Sequence, residues 1–187
     1  VSVIGLGWHF PIYLLIERLE TKPWRDHVPI EVRASAWENG HACSLVILAA
    51  AVFESAMNRT RYIRNDRFSG HNVEYFKTVT ENADLAADLE AAFAVRDAIV
   101  HNHIWEALTF TDVDFQVKFF APPVLREGHG DKKFRKVLNP DTRRTKRLGL
   151  NLFPSRIWRA DAYVVLSRVY RAIKCLDEVD RRYFFGG

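Results

Sequence analysis

The chain is poor in the residues and runs that mark specialised chemistry. It has two cysteines, Cys43 and Cys175, far apart and without the spacing of a metal site, which excludes a zinc ribbon and a disulfide scaffold. Each falls in a helical pattern as a small core residue, with one bridge between them left open; a reducing, cytoplasmic setting is the simpler expectation. No stretch reaches the roughly 18 unbroken apolar residues of a membrane span, so no membrane partner is expected. The apolar opening VSVIGLGWHFPIYLLI is interrupted by His9 and Pro11 and lacks the basic start of a signal peptide. There is no internal repeat, and no HExxH, paired CxxC, Walker loop, GxGxxG or serine nucleophile elbow. The triplet His101-Asn102-His103 spells HNH, but those nucleases spread the letters over a ββα unit, so the match is rejected. No metal and no cofactor are called for.

What remains is an ordinary globular composition. Hydrophobic residues make up 48% of 187 and charged residues 27%, which leaves enough apolar material for one core and argues against disorder. The formal charge of +4 permits a polyanionic partner without requiring one.

The stretch Asn82 to Leu108 organises the rest and reads as one long helix. Asn82 suits the N-cap, Asp84 and Asp88 put negative charge near the start, and the interior has no Gly or Pro. Leu85, Leu89, Ala92, Phe93, Val100, Ile104 and Ala107 recur at three- and four-residue steps as an apolar stripe. Arg96 sits in that stripe, where a guanidinium is costly unless an anion meets it.

Around this helix the chain reads as follows. Residues 1 to 10 are an irregular lead-in, and Ile12 to Glu20 a first helix begun by Pro11. Ser35 to Arg64 is a second large helix, apolar almost all round and so a bundle centre. Asn65 to Asn72 is a turn with Gly70 as its stop, and Val73 to Val79 a short helix. Val113, Phe115, Val117 and Phe119 alternate with polar residues as a strand, and KKFRKVL is expected to pair with it as a hairpin. The last helix begins near the N-cap candidate Ser155 and buries Ile157, Ala160, Val164, Val165, Val169, Ile173 and Leu176. The expected fold is a single domain, mainly α: a helical bundle with a basic β-hairpin or loop insertion over about 110–150, before the last helix.

Arg96 and His101 carry the chemistry. Imidazole titrates near neutrality and can take and return a proton, while guanidinium grips a phosphate with two donors. RNA cleavage needs both, because the 2′-hydroxyl is a tethered nucleophile and a base, an acid and a cation suffice without metal. Positions five apart on a helix are offset by roughly 140°, so the two groups do not converge on one ideal helix. Either the helix is distorted or two copies pool their groups. His103 lies nearly on the face of Arg96, and Asp97, four before His101, can orient its ring.

The run Arg96-Asp97-Ala98-Ile99-Val100-His101 resembles the signature of HEPN (higher eukaryotes and prokaryotes nucleotide-binding) domains: Arg, a polar residue, three variable positions and His, late in a bundle helix. The resemblance covers Ser35 to Leu108 and the last helix. It implies a metal-independent endoribonuclease of the toxin or antiphage-defence kind, a homodimer with a composite site, and a possible cognate antitoxin. It makes Arg96 and His101 the catalytic pair, with Asp97 at the polar position. Glu54, in FESAMN, resembles an acidic residue that some members place near the site. Some relatives carry a modifiable Tyr two places after the His; here that place is His103, which puts silencing by that route in doubt and offers a second proton carrier. The rival reading is a non-catalytic HEPN-like module that binds nucleotide, RNA or protein.

The insertion carries Arg126, Lys132, Lys133, Arg135, Lys136, Arg143, Arg144, Lys146 and Arg147, with Phe134 interleaved. A solvated loop is the plain reading. The functional one is an RNA grip in which Lys132, Lys133, Arg135, Lys136, Arg143 and Arg144 contact phosphates and Phe134 stacks on a base.

Overall fold

The computed structural model describes residues 7–21, 35–101, 105–106, 109–111, 117–119, 124–125, 132–180 and 182. It is a helical bundle with small antiparallel β pairs before the last helix. Helices α1 (His9–Thr21), α2 (Ala36–Arg64), α3 (Asn72–Thr80) and α4 (Ala83–His101) come first. Strand β1 (Trp105–Glu106) pairs with β4 (Val124–Leu125), and β2 (Thr109–Thr111) with β3 (Val117–Phe119), the second pair nested in the first along the chain. Then come the short helix α5 (Lys132–Val137), the hairpin β5 (Leu138–Asn139) and β6 (Arg144–Thr145), a 3-10 turn at Pro154–Arg156, and α6 (Arg159–Val179).

Helix α2 is the hub and packs on α1, α4 and, most extensively, α6. Its own sequence explains this: Leu45, Val46, Ala49, Phe53 and Met57 are all fully buried. By length and composition alone α2 could cross a bilayer, but half of its most apolar stretch is covered by the rest of the protein. Phe53 is the pivot of the core, edge-on to Phe76 of α3 at 5.8 Å and to Phe93 of α4 at 5.5 Å. Such aromatic pairs add to what area burial alone supplies.

Local signals set most of the helix ends. Ser35 accepts from the Glu38 amide at 3.2 Å and starts α2; Asn82 accepts from the Leu85 amide at 3.0 Å and starts α4. At the far end of α2 the residue in the left-handed region is Asn65, with φ 55°, rather than Gly70. Gly70 has a different job: a Cβ there would sit 2.5 Å from the Phe68 ring and 2.8 Å from the Glu74 carboxylate.

Several sequence expectations need correction. His9 and Phe10 are helical, so α1 starts inside the expected lead-in. Helix α4 is described as far as His101 and does not reach Leu108, because Trp105–Glu106 is a strand. Trp105 is drawn instead onto the strand-and-turn layer, where its indole N–H donates to the Leu152 carbonyl at 2.9 Å and its ring meets Phe153 edge-on. KKFRKVL is not a strand: Lys132–Val137 is helical, and only Leu138 joins a hairpin, with Thr145. Phe134 is buried in the core, 3% exposed, so it anchors α5 and offers no ring to a base. Ser155 lies in the 3-10 turn, and α6 starts after Trp158, whose amide donates to Asp161 at 3.2 Å. Of the face expected for α6, Ile157, Val165, Val169, Ile173 and Leu176 are buried, whereas Ala160 is exposed and Val164 half-buried. Val113 and Phe115 lie outside the described residues.

Candidate active site

Arg96 occupies the last third of α4, and the packing of α4 on α2 decides what it meets. Its Nη2 donates to Glu54 Oε1 at 2.7 Å across the two helices, and its Nη1 lies 3.2 Å from Asp97 Oδ1. The guanidinium also lies over the Phe93 ring, 5.2 Å from its centre. Its Nε is buried and, among the described residues, has no hydrogen-bond partner. Two carboxylates and an aromatic face therefore answer the cost that the sequence posed for a cation in an apolar seam. The Arg96 and Glu54 side chains nonetheless remain 25% and 38% exposed, so the pair is reachable from outside.

The opening beside it is a cavity of about 420 Å³. Glu54 of α2, His71 at the start of α3, Glu90 and Arg96 of α4, and Lys136 of α5 are among its lining residues. Sequence reasoning missed His71 and Glu90. Neither belongs to a motif: Glu90 lies on α4 itself, and His71 joins the same lining because α2, α3 and α4 pack together. Lys136 enters because Phe134 and Leu138 anchor α5 and its hairpin in the core. Its ammonium stands 3.6 Å from Glu90.

His101 is exposed at the C-terminus of α4 and is not among the residues lining this cavity. Within one chain, then, the described lining unites Arg96 with Glu54 but not with His101, as the helical offset requires. The Asp97 carboxylate makes an ion pair with Arg96. His103 lies outside the described residues.

The expected RNA-gripping residues divide. Arg135 and Lys136 are exposed on α5, while Arg143 and Arg144 are half-buried in the hairpin. Arg143 takes φ 56°, and its carbonyl accepts from the Leu152 amide. Lys132 and Lys133 open α5, and their side chains lie outside the description. Lys146 caps the end of α5 through the carbonyls of Arg135 and Lys136, and Arg147 pairs with Asp84 and Asp88 of α4. Arg147 therefore holds the insertion to the bundle, while Lys146 ties the segment after β6 back to α5 within it. Arg126 lies outside the described residues.

Both cysteines are free and half-buried. Burial, helped by the nearby Asp161 charge, pushes the Cys43 thiol up to about 11, so it is protonated and unreactive at neutral pH. Among the described residues no three His, Cys, Asp or Glu side chains gather where they could hold a metal ion. Comparison with family models, with curated proteins and with solved structures found no match to this chain.

Proposed function

We propose that the chain is an endoribonuclease of the HEPN type, cleaving RNA by attack of the 2′-hydroxyl on the adjacent phosphodiester. The observation that carries the reading is the Arg96–Glu54 ion pair at the wall of an open, polar cavity. The motif arginine is held rigidly by a carboxylate from the preceding long helix, yet it keeps N–H donors beyond the two engaged by Glu54 and Asp97. A fixed guanidinium of this kind can stabilise the charge that develops on phosphorus without reorganising. His101 supplies proton transfer, and the offset between the two groups calls for a second copy of the chain to complete the site. The products are a 2′,3′-cyclic phosphate and a 5′-hydroxyl. By resemblance the setting is a cytoplasmic toxin or defence effector, with a cognate antitoxin as a further partner.

A second reading has its own observation. Arg96 is already neutralised by two carboxylates, which is what a binding module using the same cleft, or a purely structural arginine, would also show. Incubation with single-stranded RNA in EDTA separates the two. Wild-type cleavage that falls at least a hundredfold in both Arg96→Ala and His101→Ala supports the nuclease. Equal background in all three leaves the binding module.

A further inference from the structure

Among the described residues, His71 is the imidazole that lines the Arg96 cavity. It arrives on the turn between α2 and α3 and occupies the N-cap of α3, with extended backbone and no side-chain capping bond. From the elements around it, the charged groups on the same lining are Glu54 of α2, Glu74 of α3, Glu90 and Arg96 of α4, and Lys136 of α5. The Lys136–Glu90 pair, at 3.6 Å and with the lysine 76% exposed, is far looser than Arg96–Glu54. Such a pair is worth little, so an RNA phosphate can replace Glu90 as partner of Lys136 at small cost.

We propose that His71 is a proton carrier of the cleavage reaction, acting beside Arg96 of its own chain, with Lys136 holding a substrate phosphate at the rim. The proposal rests on the ribonuclease reading above. Two proton transfers accompany the step. One imidazole takes the 2′-hydroxyl proton as the O2′–P bond forms. One imidazolium gives a proton to the departing 5′ oxygen as the P–O5′ bond breaks. Nothing is oxidised or reduced. His71 fills one of these roles and His101 the other, so that base and acid stand on separate elements and need not share one face of α4.

His71→Asn is the informative substitution, because Asn is a good N-cap and keeps the start of α3 while removing the titrating group. Cleavage of single-stranded RNA by the full chain is measured in EDTA from pH 5 to 9, and binding of the same sequence made as DNA, which lacks the nucleophile, is measured alongside. The expected result for His71→Asn is a kcat at least a hundredfold lower, one limb of the pH profile lost, and DNA affinity within twofold of wild type. Lys136→Ala should raise KM with kcat nearly kept, and lower the log–log salt slope of binding by about 0.7. A His71→Asn variant with wild-type rate and pH profile overturns the inference. If Arg96→Ala abolishes that activity, the ribonuclease reading stands without it. No cleavage by wild type removes both.

Discussion

Two aspartates show how placement alone sets the sign of a residue's contribution. Asp66 follows α2 and accepts from the Tyr75 hydroxyl at 2.6 Å and from Arg64 Nε at 2.9 Å. These contacts, the tyrosine's first, hold its carboxyl below the ordinary value, so it contributes stability above pH about 4 that is lost as pH falls through its folded value. Asp66→Asn should therefore unfold more readily than wild type near neutrality, with the gap narrowing below pH 4 in acid titrations followed by circular dichroism. Asp161 is the opposite case. It is buried, and although it accepts from the Asn151 and Trp158 amides, desolvation dominates and raises its carboxyl. Its protonated form is favoured in the fold, so its contribution weakens as pH rises from the ordinary carboxylate range through its higher folded value. Both aspartates could be read in the sequence as polar residues near helix ends, but neither sign could, because burial is a property of the packed chain.

At the level of elements, the join between the insertion and the bundle is electrostatic as well as apolar. Asp88 of α4, 9% exposed, takes Arg147 from the segment after β6 and has Arg168 of α6 at 3.0 Å. Asp88→Ala takes that carboxylate from Arg168 and leaves Arg147 to Asp84, and should cost about 2 kcal/mol, less than breaking a wholly buried pair because both arginines keep solvent contact. That predicts a Tm lower by roughly 4–8 °C for a domain of this size, checked by calorimetry. Helix α5 carries exposed charge at Arg135 and Lys136. Neutralising Lys132, Lys133, Arg135 and Lys136 to Gln together should weaken RNA binding at low salt and flatten its salt dependence, with Tm nearly unchanged; an unaltered affinity would give α5 another job. Helices α2 and α4 were legible because apolar runs, N-caps and the absence of Gly and Pro act locally. Helix α5 was not. Its short run, KKFRKV, has neither period strongly, and the burial of Phe134 on the bundle decides it.

For the whole molecule, the proposed reaction turns on whether Arg96 and His101 can meet at one phosphodiester. They share a helix but not a face, and within one chain the cavity takes the first and not the second. A composite site requires association, so light scattering at micromolar concentration should give twice the chain mass of 21.7 kDa. A strict monomer that still cleaves RNA would place the whole reaction within one chain, where, among the described residues, His71 is the imidazole that shares Arg96's cavity. The opening lined by α1, α2 and α6 has a larger volume, about 690 Å³, but its surface is mostly apolar and its lining includes neither Arg96 nor His101.

The sequence by itself determined the helical bundle, the N-cap of α4, and the spacing of Arg96, Asp97 and His101. Each of these depends on neighbours within a few positions, where propensity and periodicity operate. It also posed a problem, a cation inside an apolar stripe, and by resemblance named Glu54 as an acidic residue near it. Only the tertiary structure set Glu54 against Arg96, took Trp105 out of the helix and onto Leu152, buried Phe134, and brought His71 and Lys136 to the same opening. Those outcomes join residues tens of positions apart. Their energy comes from water excluded between packed elements, and no local pattern in the chain encodes which surfaces will meet.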